Sequence, residues 1–292
     1  MSPRPPDAPP TDAEFDALLR LLDDETPEVR SHVAARLARL GGDLSERLIV
    51  RGRVLEPDDQ ALLSRLTAPA RRETLVREWA VPTGGAAAML DDWDTLEALL
   101  RFVSDFLHDG VTVRQPLSDA LDLVSDEAAA AGVSTPDALR VFLFGEGGRF
   151  GGDPEPTADR RHADLAWVVA TGQSDPLGYG LLFLLVARRL DLEVEGLDFS
   201  DSFVCRIHID GRPFIVECHA GARLHSQEEL LESGGLSREV ASRLTAAAAT
   251  PGRLLLAFLE NLLGLIEWEE ADEHPEAEED AALIRRLRES LD

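Results

Sequence analysis

Leu197–Gly221 reads LDFSDSFVCRIHIDGRPFIVECHAG. At its centre Asp210-Gly211 is a dipeptide that accepts the positive φ angles of a two-residue turn, and β-branched and aromatic residues flank it on both sides. The spacing predicts two antiparallel strands, with Ile209 opposite Arg212, Ile207 opposite Phe214, Cys205 opposite Val216 and Phe203 opposite Cys218. Alternation then puts Phe203, Cys205, Ile207, Phe214, Val216 and Cys218 on one apolar face. Ser202, Val204, Arg206, His208, Ile215 and Glu217 fall on the other. Both cysteines of the chain lie here, with His208 and His219 inside the stretch and His225 just beyond it.

A nucleophilic site needs a thiol or hydroxyl beside an imidazole, so this is where one is sought. On the apolar face Cys205 and Cys218 read as small core residues. On the other face Arg206 or His208 is expected to pair with Glu217, so Ser202, Arg206, His208 and Glu217 form a candidate binding patch. A metal site on Cys205 and His208 would draw ligands from opposite faces. Cys218, His219 and His225 have only loose spacing, and neither His-Glu-x-x-His nor Cys-x-x-Cys occurs. No metal and no cofactor is expected.

Around this hairpin the periodicity is helical. DPLGYGLLFLLVARRLDL, just before it, is apolar on nearly every face from Leu181 to Val186 and predicts a buried central helix. A buried helix leading into antiparallel strands, within a mostly helical chain, gives an α+β fold. Upstream, stripes at Leu90, Trp93, Leu96, Leu99, Leu100 and Val103, and at Leu117, Leu121 and Val124, predict two core-facing helices. TPDALRVFLFGEGG predicts another, capped by Ser134 or Thr135. Nearer the start, AEFDALLRLLDDETPEVRSHVAARLARLGG predicts a helical hairpin that turns at Thr26-Pro27. A second pair is expected over Pro57–Leu66 and Pro69–Trp79. Downstream lie two short helices around Gly234-Gly235, a longer one in TPGRLLLAFLENLLGLIEW, an acidic linker EEADEHPEAEED, and a last amphipathic helix with Leu283, Ile284, Leu287 and Leu291. The expected layout is a proline-rich arm over 1–11, HEAT-like helical hairpins over 12–82, a core over 86–235 and a helical tail over 236–292. GEGGRFGGDPEP lacks the Lys-Ser/Thr of a phosphate loop and has Phe150 where a dinucleotide motif needs glycine.

Composition narrows the function classes. The formal charge is −26, from 55 acidic residues against 29 basic ones, and every basic residue is arginine. Such a surface repels phosphate backbones and anionic headgroups, so neither nucleic acid nor membrane is an expected partner. Dense carboxylates suit a high-salt interior, and a codon bias against lysine explains the composition equally well. Two cysteines make no disulfide framework and no apolar segment follows Met1-Ser2-Pro3-Arg4, so the cytoplasm is the expected compartment.

The order of elements from about Leu90 onward resembles the SirB family of transglutaminase-like proteins. The resemblance rests on FLFGEGGRFGGD, on RRHADLAWVVATGQSDPLGYGLLFLLVARRLDLEVEGLDF, on FIVECHAGARLHSQEEL, and on LLAFLENL, in which Asn261 matches the family's asparagine. It implies a papain-like core with a nucleophile at the amino end of the buried helix, a histidine on a strand and an acid on the next. It also implies HEAT-like helices in front and a tetratricopeptide-like tail. Matched position by position, the nucleophile is Gly178, the histidine is Ser202, and the acid alone keeps its charge as Glu217. A glycine cannot attack a carbonyl, so the resemblance implies a non-catalytic module that binds a protein or peptide. Two alternatives stay open. One is a hydrolase or acyl-transfer enzyme whose site has moved to Cys218 or Ser202, with His219 or His208 and Glu217. The other is a structural subunit of a larger assembly.

Overall fold

In the computed structural model, the described residues are 10–22, 24, 26–150, 159–199, 202–219, 221–233, 235, 237–268 and 276–292. The side chains of Asp198, Phe199, Ser202 and Glu239 are outside that description. The arm expected over 1–11, apart from Pro10 and Thr11, and most of the acidic linker lie outside the described residues. The chain divides into two compact units. One contains the described residues up to Trp79 together with Asp105–Arg114, and the other contains Ala80–Ser104 and Gln115–Asp292.

The first unit is helical. Helix α1 (Asp12–Leu19) starts in a capping box, in which Thr11 and Glu14 satisfy each other's free backbone donors. α2 (Pro27–Leu37) carries Pro27 in its first turn, where a missing N–H costs nothing. The turn predicted at Thr26-Pro27 is therefore present. α3 (Ser45–Val50) and α4 (Pro57–Glu78) follow. Phe15, Leu18, Val33, Leu37, Leu44, Leu48, Leu63 and Val111 form its core. The second predicted pair is instead one helix: α4 continues for 22 residues with Pro69 inside it. A proline removes one intrahelical donor, but the buried Leu63, Thr67, Ala68, Ala70 and Leu75 run along both sides of Pro69 and hold the helix there.

The second unit holds α5 (Gly85–Ala88), α6 (Trp93–Leu107, whose last turn from Asp105 counts with the first unit), α7 (Leu117–Ala130), α8 (Pro136–Phe144), α9 (Leu165–Thr171) and α10 (Pro176–Arg189). The sheet comes next, with β1 (Val194–Phe199), β2 (Ser202–Ile209), β3 (Arg212–Glu217) and β4 (Arg223–Ser226). It is followed by α11 (Gln227–Glu232), α12 (Arg238–Leu244), α13 (Pro251–Trp268) and α14 (Ala277–Glu289). The fold is α+β and mostly helical, as the sequence predicts. Every residue of α10 from Leu177 to Ala187 is buried. Leu96, Leu99, Leu100 and Val103 are buried as predicted, whereas Leu90 precedes α6 and is 69% exposed. The last four residues of the acidic linker belong to α14, where Glu278, Glu279 and Asp280 complement the helix's positive amino end. Among the described residues no helix is long and apolar enough to cross a membrane.

The sheet is an antiparallel meander in the order β1-β2-β3-β4. Asp210 and Gly211 take φ of 51° and 76°, as a two-residue turn of this hand requires. The predicted register holds at Ile209–Arg212, Ile207–Phe214 and Cys205–Val216. β3 ends at Glu217, so the predicted Phe203–Cys218 pair lies just past the ladder. α10 packs on the apolar face so closely that a Cβ on Gly180 would stand 2.3 Å from the Phe203 ring.

Candidate functional site

The candidate site is built around the amino end of α10. Asp175 caps the helix: its Oδ1 accepts the Gly178 N–H at 2.7 Å, and its Oδ2 accepts Asn261 Nδ2 of α13 at 2.7 Å. Burial pushes the Asp175 carboxyl above its usual range. The hydrogen bonds from Gly178 and Asn261 and the nearby His162 pull it back only in part. Beside it Ser174 Oγ donates to the His162 carbonyl at 2.9 Å. Gly178 is wedged beneath that bond. A Cβ built on it would lie 2.0 Å from Ser174 Oγ and 2.9 Å from the His162 carbonyl oxygen, so a side chain at position 178 would force Ser174 out of this bond.

Both thiols lie deeper, Cys205 on the sheet face that α10 covers and Cys218 just past the end of β3. Cys205 and Cys218 are 0% and 1% exposed. Burial pushes the Cys205 thiol well above its ordinary pKa, and the adjacent Cys218 thiol adds to the shift. Their other partners are backbone carbonyls, Gly180 for Cys205 and Val216 for Cys218. Among the described residues neither thiol shares a hydrogen bond with an imidazole. Half-buried His219, in the turn after β3, has its Nδ1 shielded and without a hydrogen-bond partner among the described residues.

The opposite face differs from its predicted form. Leu197, Ile215 and Leu244 make a second small core there, with Val204, Leu230, Leu231 and Val240 packed against it, because α11 and α12 fold back over the sheet. Arg206 does not meet Glu217. It sits opposite Glu195 on β1, donates Nε to that carboxylate at 2.5 Å, and donates Nη1 to the carbonyls of Leu244 and Ala246. Without β1 in the predicted sheet, that partner was missing. His208 is exposed opposite Pro213. Glu217 instead faces β4, with His225 Nε2 at 3.6 Å and Arg223 Nε at 3.8 Å, both longer than hydrogen bonds. Ser202 opens β2 opposite Phe199, and its side chain is outside the described residues. Among the described residues no cluster of three or more His, Cys, Asp or Glu side chains is arranged to hold a metal ion.

The family model of the transglutaminase-like superfamily matches residues 112–252, which carry this capped helix and the sheet it packs on. These residues are a transglutaminase-like domain. No curated protein and no solved structure matches the chain. The matched span of the transglutaminase-like domain runs from ahead of α7 into the start of α13, so it contains Gly178, Ser202 and Glu217 together with Asp175. Sequence reasoning marked Asn261 through the resemblance but missed Asp175, Ser174 and His162. Asp175-Pro176 carried a signal, since an N-cap residue followed by proline is a strong helix start.

Proposed function

We propose that this is a non-catalytic member of the transglutaminase-like superfamily, of the SirB type, acting in the cytoplasm as a protein- or peptide-binding module. In this reading the helices ahead of the domain are HEAT-like and the tail is tetratricopeptide-like. The observation that carries it is the amino end of α10. A thiol-dependent acyl transfer places its nucleophile there because the free N–H groups and helix dipole favour the thiolate. In this chain the position is a glycine packed against the Ser174 hydroxyl, and the carboxylate of Asp175 takes the Gly178 N–H. A second anion there would stand against the first. The two thiols are buried instead, and burial disfavours the thiolate of Cys205.

A thiol-reactivity assay tests the reading. Iodoacetamide at neutral pH is expected to leave Cys205 and Cys218 unlabelled in the folded protein and to label both after denaturation. Rapid native labelling of Cys218 that disappears in His219→Ala would overturn the proposal and favour the relocated hydrolase site.

A further inference from the structure

At the other end of α10 from Gly178, a cleft of about 480 Å³ opens between α6 and α10, and it falls in the size range of ligand sites. Ten residues of helix separate the two places, about 15 Å at 1.5 Å per residue. Its charges are unusual for this chain. Arg189 is fully engaged: its guanidinium forks onto the Glu97 carboxylate at 2.6 and 2.8 Å and gives Nε to Asp122 at 2.8 Å. Arg101 and Arg188, which line the same cleft, have no such partner. In a protein with 55 acidic residues for 29 arginines, neither forms an ion pair or a hydrogen bond with a carboxylate among the described residues. Arg188 lies over the Trp93 ring, 5.4 Å from its centroid, and Arg101 lies over the Phe102 ring at 4.6 Å. A guanidinium that rests over a ring spends no N–H group on a carboxylate, and those N–H groups are what fork an oxyanion. The remaining acid of the lining, Asp94, is exposed and pairs with neither arginine.

We propose that this cleft binds a short peptide segment through one oxyanion-bearing side chain, a carboxylate or a phosphorylated hydroxyl, gripped by Arg101 and Arg188 beside Trp93. The net charge of −26 disfavours long polyanions and leaves a single acidic side chain admissible. The site does not depend on whether the amino end of α10 is catalytic.

The test uses the full chain, immobilised, and four pools of acetylated pentapeptide amides with random flanks and a fixed central Glu, phosphoserine, Gln or Lys. The Glu pool, the phosphoserine pool or both should be retained at least tenfold over the Gln and Lys pools. The preference should vanish in the double variant Arg101→Gln/Arg188→Gln. The better-retained acidic pool identifies the oxyanion. Should the double variant fail to fold, Arg188→Gln alone, at an exposed position, is expected to lower retention several-fold. Equal retention of the Glu, phosphoserine and Gln pools, or an acidic preference that survives the substitutions, would overturn the proposal.

Discussion

Asp175 is pulled in two directions: its position as a helix cap favours the carboxylate, and its surroundings favour the proton. Burial wins, and the folded-state pKa is raised. For an acid the sign follows directly. The folded protein holds this proton more tightly than the unfolded chain, so stability is complete below the unfolded pKa of 3.8 and is lost as pH rises through the folded value. Asp175→Asn keeps an acceptor for the Gly178 N–H and cannot ionise. Its melting temperature relative to the native protein is therefore expected to rise as pH is taken from about 4 to about 6. A flat difference across that range would show that Asp175 does not titrate as its burial implies. The same residue shows why the site was hidden in the sequence. Asp175 and Asn261 are 86 positions apart, and only the packing of α13 against the start of α10 makes them neighbours.

At the scale of elements, the hairpin was legible because Asp-Gly and strict alternation are local signals. β1 and β4 were not. β1 has Gly196 in its middle and β4 is four residues long, so neither carries enough alternation to stand out. Losing β1 also lost the partner of Arg206, and that error moved the predicted polar patch. Local rules break α4 at Pro69 because proline is a strong helix breaker, and tertiary packing overrules them. The ion pair Arg160–Asp280 works at the same scale. It ties the short turn Arg160–Ala163 to the first turn of α14 at 2.7 Å, with side chains only 14% and 5% exposed. Removing one partner takes this close contact from a charge held in a poorly solvated place. Asp280→Ala is expected to cost about 3 kcal/mol in chemical denaturation. A cost below about 1 kcal/mol would mean the pair behaves as a surface bridge.

For the whole molecule the governing quantity is the charge of −26. Carboxylates that outnumber arginines repel one another most when the chain is compact, and salt screens that repulsion. Between about 0.01 and 1 M salt the screening length falls from about 30 to about 3 Å. The melting temperature is expected to climb across that range, and a flat or falling curve would remove self-repulsion as a significant term.

The buried thiol pair also turns the protein into its own opening gauge. Cys205 lies on β2 against α10 and Cys218 lies just past the end of β3, both fully buried, so an external reagent can meet either sulfur only after the packing there opens. Alkylation kinetics would thus time one specific separation in the interior, without a dye or an engineered label.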